Sequence, residues 1–428
     1  MSAIDKTKMK VNKTRKPRKK LAEFFLEKNN MYACDHNDCV KIVDDIFKYA
    51  LLQSAADIHI ERNENGNTVR YRIDGMLHDV MRLDAKTGIE VANRIKHLAN
   101  MTTDKTDEIQ EGRISLEGDT NGMMVWVGIF PYLFGEKIVM RIFHPFTKGM
   151  TLEKLGMQEE ILEKVHCQIR KQRGTILITG PIGSGTTTTA YTLIDILNSP
   201  SKSISTIEDP VEHRMLRIQQ MQINPNIGID FPSCLNSLLK QDNDILMIGE
   251  IRDNQTLRGI VRAASWRNLV VAIMHAQSSF HALEIIREMD IDPFEIAANV
   301  HSVISQRLAR RLCQNCKIAY TINEKQVKKF SQVADFEKLK NRVWYKSGEG
   351  CNKCGSTGYA GKIGIFEILE IDDVIGRLIF LQAPLADISA KAREKGMRTL
   401  NEDALVKASS GLISLEEVHK ALTVEGMF

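Results

Sequence analysis
No stretch of this chain has the length of apolar sequence needed to span a bilayer, for which roughly 18 or more residues are required. The most apolar runs, such as Leu269 to Met274, stop after a few residues and read as buried strands. The basic start is followed by no apolar segment, so no secretory leader is expected. These absences predict a cytoplasmic chain whose membrane association is peripheral or made through a partner. Acid is missing from residues 6 to 20, which hold Lys6, Lys8, Lys10, Lys13, Arg15, Lys16, Arg18, Lys19 and Lys20. Such a run repels itself and reads as a disordered, solvated arm, with docking on anionic lipid or an acidic partner as the sharper alternative. Without the arm the chain is slightly acidic, which argues against a general nucleic-acid binder.

What is present is a globular composition: 428 residues, 43% hydrophobic and 26% charged, with a net charge of +4. That length predicts two to four compact units. After the arm, Leu21 to Lys28 reads as a short helix and Val40 to Ser54 as a longer one. The period then changes to two in Asp57 to Glu61 and Thr68 to Ile73, with Asn65-Gly66-Asn67 as turn material between them. A helix at Gly88 to Ala99 and strands at Gly112 to Leu116, Met123 to Ile129 and Lys137 to Phe143 complete a small α+β unit. From Thr151 the pattern is alternating strands and helices, the sign of a parallel sheet. Its strands are Thr175 to Thr179, Ser203 to Ile207, Ile245 to Ile248 and Leu269 to Met274, and the stripe of Phe231, Leu235, Leu238 and Leu239 marks a helix that packs on them. The expected division is a basic arm and short helix over 1–39, a small α+β domain over 40–145 and a parallel-sheet core over 146–312. A cysteine-rich insertion over 313–358 and a helical region over 359–428, with Gly396 and Gly411 ending helices, follow.

Thr175-Ile176-Leu177-Ile178-Thr179 runs into Gly180-Pro181-Ile182-Gly183-Ser184-Gly185-Thr186-Thr187, and a helix follows from Thr188. A glycine-rich turn between a strand and a helix lets backbone N–H groups curl around phosphate oxygens. The lysine that the pattern requires is replaced by Thr186, whose hydroxyl donates one hydrogen bond and brings no charge. Thr187, the expected magnesium hydroxyl, is in place. Glu250 follows the strand Ile245 to Ile248, where a carboxylate can orient and deprotonate a water. Glu208, Asp209 and Glu212 cluster after Ser203 to Ile207 and suit magnesium.

Eight cysteines in a cytoplasmic chain point away from disulfides. Cys313-x-x-Cys316 and Cys351-x-x-Cys354 form two knuckles that together make a closed, structural four-thiolate zinc site. Cys167 and Cys234 lie in helical apolar patterns and read as buried small hydrophobes, and the pairing of Cys34 with Cys39 around Asp35 and His36 reads as chance.

These residues resemble the ATPases of type II secretion and type IV pilus assembly, over roughly residues 45 to 428. Ala56 to Glu61 and Arg72-Ile73-Asp74-Gly75 resemble the family's small domain, and Glu208 to Glu212 its Asp box. Ile248 to Asp253 resembles its Walker B segment, with Glu250 as catalytic base, and His275 falls in its His box. Cys351 to Tyr359 and Glu416-Glu417-Val418 resemble its cysteine-rich insertion and its ending. The resemblance implies a RecA-like P-loop motor domain behind a smaller domain. It implies ATP and Mg2+ between the two, the loop residues through Thr188 as nucleotide ligands, and Arg113 and Arg141 turned toward the phosphates. It further implies a homo-hexamer on an inner-membrane platform protein, driving pilin or pseudopilin assembly at the inner face of the cytoplasmic membrane. The docking domain of the longest members is expected to be absent or reduced to the basic arm. Departures gather at the phosphates: besides Thr186, Trp126 and Asp107 stand where arginine is usual, and Arg267-Asn268 where Gly-His is usual. A non-hydrolysing scaffold subunit is therefore one alternative function. A retraction motor is another, against which the four cysteines count.

Overall fold
The computed structural model describes residues 38–53, 55–73, 75–116, 123–143, 149–322 and 342–423. The basic arm, the helix expected at Leu21 to Lys28 and Cys34 lie outside them. The chain divides between Pro145 and Phe146 into two compact units.

In the first unit, α1 (Asp38–Leu52) precedes β1 (Asp57–Asn63), β2 (Gly66–Ile73) and β3 (Met76–Leu83). Then come α2 (Ala85–Leu98), β4 (Gln110–Leu116), β5 (Met123–Tyr132) and β6 (Gly135–Phe143). The strands form one sheet in the order β3-β2-β1-β6-β5-β4. Alternation does the sorting: Ile58, Ile60, Val69, Tyr71, Val125 and Val127 point into a core shared with Val43, Phe47, Val91 and Ile95 of the two helices. The Tyr71 hydroxyl donates to the Ile46 carbonyl at 2.8 Å, pinning α1 to the sheet. Asp84 caps α2 by accepting from the Thr87 amide at 2.8 Å. β3, whose polar run Met76–Leu83 carries little alternation, was not visible as a strand in the sequence; it forms because β2 offers it an open edge.

The second unit opens with α3 (Leu152–Leu155) and α4 (Glu159–Ile169), followed by β7 (Gly174–Thr179), α5 (Thr186–Leu197), β8 (Ile204–Glu208) and β9 (Ile218–Gln222). Next are α6 (Phe231–Leu238), β10 (Ile245–Ile248), α7 (Asn254–Trp266), β11 (Leu269–Met274), α8 (Ser279–Glu288), α9 (Pro293–Asn299) and β12 (Val300–Leu312). The cysteine segment contributes β13 (Ile318–Thr321) and β14 (Val343–Lys346), and β15 (Tyr359–Glu370) leads to α10 (Asp373–Phe380), α11 (Leu385–Glu394), α12 (Leu400–Ser409) and α13 (Leu415–Leu422). Seven strands make one sheet in the order β15-β12-β7-β11-β10-β8-β9, parallel except for β15. β7, β8, β10 and β11 are buried at every residue, which is why β10 and β11 read as unbroken apolar runs, while β8 carries Ser205, Thr206 and Glu208 inside.

Three cores result. One face of the sheet packs on α4 and α5 through Ile161, Val165, Leu193 and Ile194, and the other on α6 to α10 through Leu235, Leu257, Ile286 and Ile375. A third core joins Trp344 of β14 to Ile363 and Ile365 of β15 and to Leu400, Ala404, Leu415 and Val418 of the last helices. The cysteine segment and the final helices are thus packed together rather than being separate pieces. The helical region expected from residue 359 begins instead with the twelve-residue strand β15, which pairs along β12 and buries Ile363, Ile365, Phe366 and Ile368. Cys234 is buried as expected, whereas Cys167 is exposed: the buried stripe of α4 runs through Ile161, Val165, Gln168 and Ile169 and leaves Cys167 outside it. Gly396 and Gly411 adopt positive φ of 86° and 71° after α11 and α12.

Candidate nucleotide site and cysteine cluster
β7 delivers the chain directly into the glycine loop. Gly183 and Gly185 take φ of 81° and 86°, a conformation that costs glycine little and other residues much. Gly180 has no room for a side chain, since a Cβ there would lie 2.3 Å from the Ser184 hydroxyl and 2.7 Å from the Gln306 carbonyl. Pro181, Ile182 and Gly183 are exposed at the tip, while Ser184 and Thr186 are buried, Thr187 is half-buried and Thr188 is exposed. The Ser184 hydroxyl is buried without a hydrogen-bond partner among the described residues. β12 braces the loop from one side: Thr189 Oγ1 donates to Gln306 Oε1 at 2.6 Å, and the Thr179 and Ser305 hydroxyls meet at 2.6 Å. A loop of this shape at the start of the twelve-residue α5 offers backbone amides and the positive helix end to an anion.

The carboxyl ends of four neighbouring strands carry a continuous line of polar contacts beside this loop. His275, after β11, places Nδ1 3.2 Å from the Gly180 carbonyl and Nε2 3.3 Å from Glu250 Oε1. Glu250, after β10, accepts from Arg252 Nε at 2.5 Å through its other oxygen. Arg252 Nη1 reaches Asp209 Oδ2, after β8, at 3.2 Å. Loop, imidazole, carboxylate, guanidinium and carboxylate are therefore linked in series.

Glu208 is set apart from its acidic neighbours. As the last residue of β8 it points inward and is 2% exposed. Tyr191 Oη and Thr206 Oγ1 donate to its two oxygens, and Gln220 Nε2 donates at 3.1 Å. Burial raises its pKa, and the three donors oppose that shift. The Tyr191 hydroxyl also accepts from the amides of Glu212 and His213 at 3.3 and 3.4 Å. Tyr191 thereby ties α5 to the loop that carries Asp209 and Glu212, a connection with no signature in the sequence because its partners are one buried tyrosine and backbone amides.

Arg113 and Arg141 belong to the first unit. Strand register sets Arg113, Trp126, Arg141, Asp57 and Arg72 in one row across β4, β5, β6, β1 and β2. Arg141 Nε donates to Asp57 Oδ1 at 2.9 Å, and Arg72 lies 3.4 Å from the other oxygen of that carboxylate. Trp126 sits between Arg113 and Arg141 in the row, and Asp107 lies in the exposed connection from α2 to β4.

Asn268 does not belong to the phosphate end at all. It precedes Leu269, which pairs with Gly174 at the start of β7, whereas Met274 pairs with Thr179 beside the loop. A strand of this length, about 3.3 Å per residue, separates it from the glycines. Its buried amide donates to the Asn243 carbonyl at 2.6 Å. The replacement of Gly-His by Arg267-Asn268 therefore leaves the phosphate site untouched.

At the far end of β12, Cys313, Cys316, Cys351 and Cys354 converge with all Sγ atoms within 4.8 Å of one another. The separations are 3.7 Å for Cys313 to Cys351 and 3.8 Å for both Cys316 to Cys354 and Cys351 to Cys354. A tetrahedral metal with bonds to sulfur of about 2.3 Å requires edges of about 3.8 Å, so the cage has the size of a thiolate zinc site. Cys354 Sγ accepts from the amides of Cys351 and Gly358 at 3.2 and 3.3 Å. Burial works against ionisation of this thiol, but these amides, together with the Cys351 and Cys316 thiols, outweigh it and bring its pKa down to about 6. The turn that enters the second cysteine pair depends on Gly350 at φ 98°, where a Cβ would strike the Ser356 backbone at 2.3 Å.

A largely parallel sheet with its glycine loop between β7 and α5, and acids on the next strand ends, defines a RecA-like P-loop NTPase fold that follows a smaller α+β unit in the chain. Solved structures share this fold. The ATPase DotB of Legionella pneumophila aligns with a TM-score of 0.65 at 16% identity, over 89% of this chain and 95% of that one. The pilus retraction motor PilT with bound ADP aligns with a TM-score of 0.63 at 21% identity, over 89% and 96%. A family model described as type II/IV secretion system protein matches residues 33–420, and the chain belongs to that family. It is 36% identical over 391 residues to the type IV pilus assembly ATPase PilB of Thermus thermophilus, covering 91% of this chain and 44% of that protein. It is 35% identical over 388 residues to the type II secretion system ATPase E of Vibrio cholerae, covering 90% and 75%. The chain thus spans less than half of the Thermus protein and three quarters of the Vibrio protein.

Proposed function
We propose that this chain is the motor-type subunit of a type II secretion or type IV pilus assembly machine and that it binds Mg·ATP at Gly180 to Thr188. The observation that carries this reading is the line of contacts from the Gly180 carbonyl through His275 and Glu250 to Asp209, directly beside the glycine loop. Loop amides suit the phosphates, and the Thr187 hydroxyl with the carboxylates of Asp209 and Glu212 suits Mg2+, which neutralises phosphate charge when bound. Glu250 stands in the position of the base that orients a water, with His275 holding one of its oxygens. Glu208 serves from behind, fixing the acidic loop through Tyr191. Arg113 and Arg141 are the candidates to approach the nucleotide from the first unit. The tetracysteine cage holds structural Zn2+ that joins the ends of β12 and β15. In the assembled machine the subunit forms a homo-hexamer at the cytoplasmic face of the inner membrane and drives pilin or pseudopilin assembly through a platform protein.

Thr186 favours a second reading, a scaffold subunit that binds nucleotide and turns it over very slowly, because no ammonium is held at the β- and γ-phosphates. The likeness to a retraction motor is one of fold. Calorimetric titration with Mg·ATP tests the site itself. Gly185→Ala forces a side chain into φ 86° and to 2.8 Å from the Gln306 amide nitrogen, so it should abolish heat of binding while leaving the circular dichroism spectrum unchanged. Equal binding by both proteins would remove the loop from the account.

A further inference from the structure
The phosphate end of the motor unit has an imbalance of charge that the structure resolves in an unexpected place. The loop itself brings no cation, since Thr186 stands where the lysine would be. His275 is committed to the Gly180 carbonyl and Glu250. Arg307, behind the loop on β12, is 7% exposed and spends its guanidinium on the carbonyls of Gln306 and Gln277. Arg252 differs from both. Its side chain is 53% exposed, and its partners among the described residues are the carboxylates of Glu250 and Asp209 rather than backbone groups.

We propose that Arg252 is the cation that replaces the missing loop lysine: on nucleotide binding its guanidinium leaves Glu250 and Asp209 and pairs with the terminal phosphates. This rests on the reading that the loop binds nucleotide. A triphosphate entering the loop brings several negative charges next to two acids that share one arginine. A planar guanidinium engages phosphate oxygens two at a time, which favours its transfer to the more highly charged partner. The same movement has a second effect. In the nucleotide-free arrangement both Glu250 oxygens are occupied, one by Arg252 and one by His275. Departure of Arg252 frees one oxygen to accept from a water, so the cation that binds the phosphates also unmasks the base.

The alternative is that Arg252 only tethers two acidic loops, and a double-mutant cycle separates the two. Mg·ATP affinity is measured by calorimetry for the natural chain, Arg252→Gln, Thr186→Lys and the combination, with thermal melts confirming that each is folded. The expected result is that Arg252→Gln weakens binding by about tenfold or more in the natural background. In the Thr186→Lys background the same change should cost less than about threefold, the two cations being redundant. Arg252→Lys, which keeps the charge, should stay within about threefold of the natural chain. An equal loss from Arg252→Gln in both backgrounds, or no loss in either, overturns the proposal while leaving the nucleotide site intact. Absence of binding by the natural chain overturns the nucleotide reading and this proposal with it.

Discussion
Thr186 concentrates the consequences of a single side chain. It sits buried in the first turn of α5, in a loop whose shape is otherwise complete. Restoring an ammonium there should tighten Mg·ATP binding by roughly tenfold or more once Arg252→Gln has removed the substitute cation, the scale of one charge-assisted hydrogen bond of about 1.5–3 kcal/mol, and by less than about threefold while Arg252 is present. Titration of the combined Thr186→Lys and Arg252→Gln protein beside Arg252→Gln alone checks this, and unchanged affinity there would mean that groups other than Arg252 already satisfy the phosphates. Tyr191 is the residue most easily overlooked. Removing its hydroxyl in Tyr191→Phe deprives buried Glu208 of a donor and the amides of Glu212 and His213 of an acceptor. A loss of about 1–3 kcal/mol in chemical denaturation is expected. The sequence made the acids visible but not their division of labour: Glu208 and Asp209 are adjacent in the chain, and the strand's alternation turns the first inward and leaves the second facing the guanidinium. Side-chain direction at a strand end is decided by register with β10 and β9, which a single sequence does not display.

His301, at the start of β12, gives the fold a dependence on pH. Burial, then the neighbouring charges of Lys171 and Arg173, lower its pKa from 6.5 to about 4. Its ring packs over Gly174, where a Cβ would lie 2.1 Å from a ring carbon. The unfolded chain binds a proton near pH 6.5 and the folded chain does not until about pH 4. Its contribution to stability is therefore full above 6.5 and is lost as pH falls through this window. His301→Asn should flatten that part of the acid limb in denaturant titrations at pH 7 and 4.5. An unaltered slope would assign the limb to other groups.

At the scale of elements, the cysteine knuckles were fully legible because metal ligand spacing is written in the chain itself. What they hold together was not. Trp344 is completely buried against the last helices and β15, so the cage anchors a core that includes α12 and α13. Purified, reduced protein should contain one zinc per chain by elemental analysis, and Cys351→Ser should release it. Because the third core is shared, the same variant should also loosen α12 and α13 in hydrogen exchange; loosening confined to the knuckles alone would contradict the shared core. Trp344→Ala, acting on that core without touching the metal, should cost about 3–5 kcal/mol. β12 and β15 themselves escaped notice in the sequence. Long strands with polar residues such as Ser302, Ser305 and Glu367 buried among apolar ones lack the unbroken apolar run of β10 or β11. Internal partners compensate much of that polarity, as when Glu367 accepts from Ser279 and from the Leu400 amide.

At the scale of the whole molecule, the proposed motor role sets an expectation for assembly. Light scattering in the presence of Mg·ATP is expected to show a closed hexamer built by head-to-tail contacts, and a monomer at every concentration would count against a ring motor. The central claim, though, concerns a nucleotide site with its architecture intact and one cation displaced, and steady-state ATP turnover tests it most directly. The natural chain should hydrolyse Mg·ATP very slowly, Thr186→Lys should turn it over faster because Glu250 already stands at the end of β10, and Glu250→Gln in that background should abolish the gain. Fast turnover by the natural chain, unchanged by Thr186→Lys, would contradict the account.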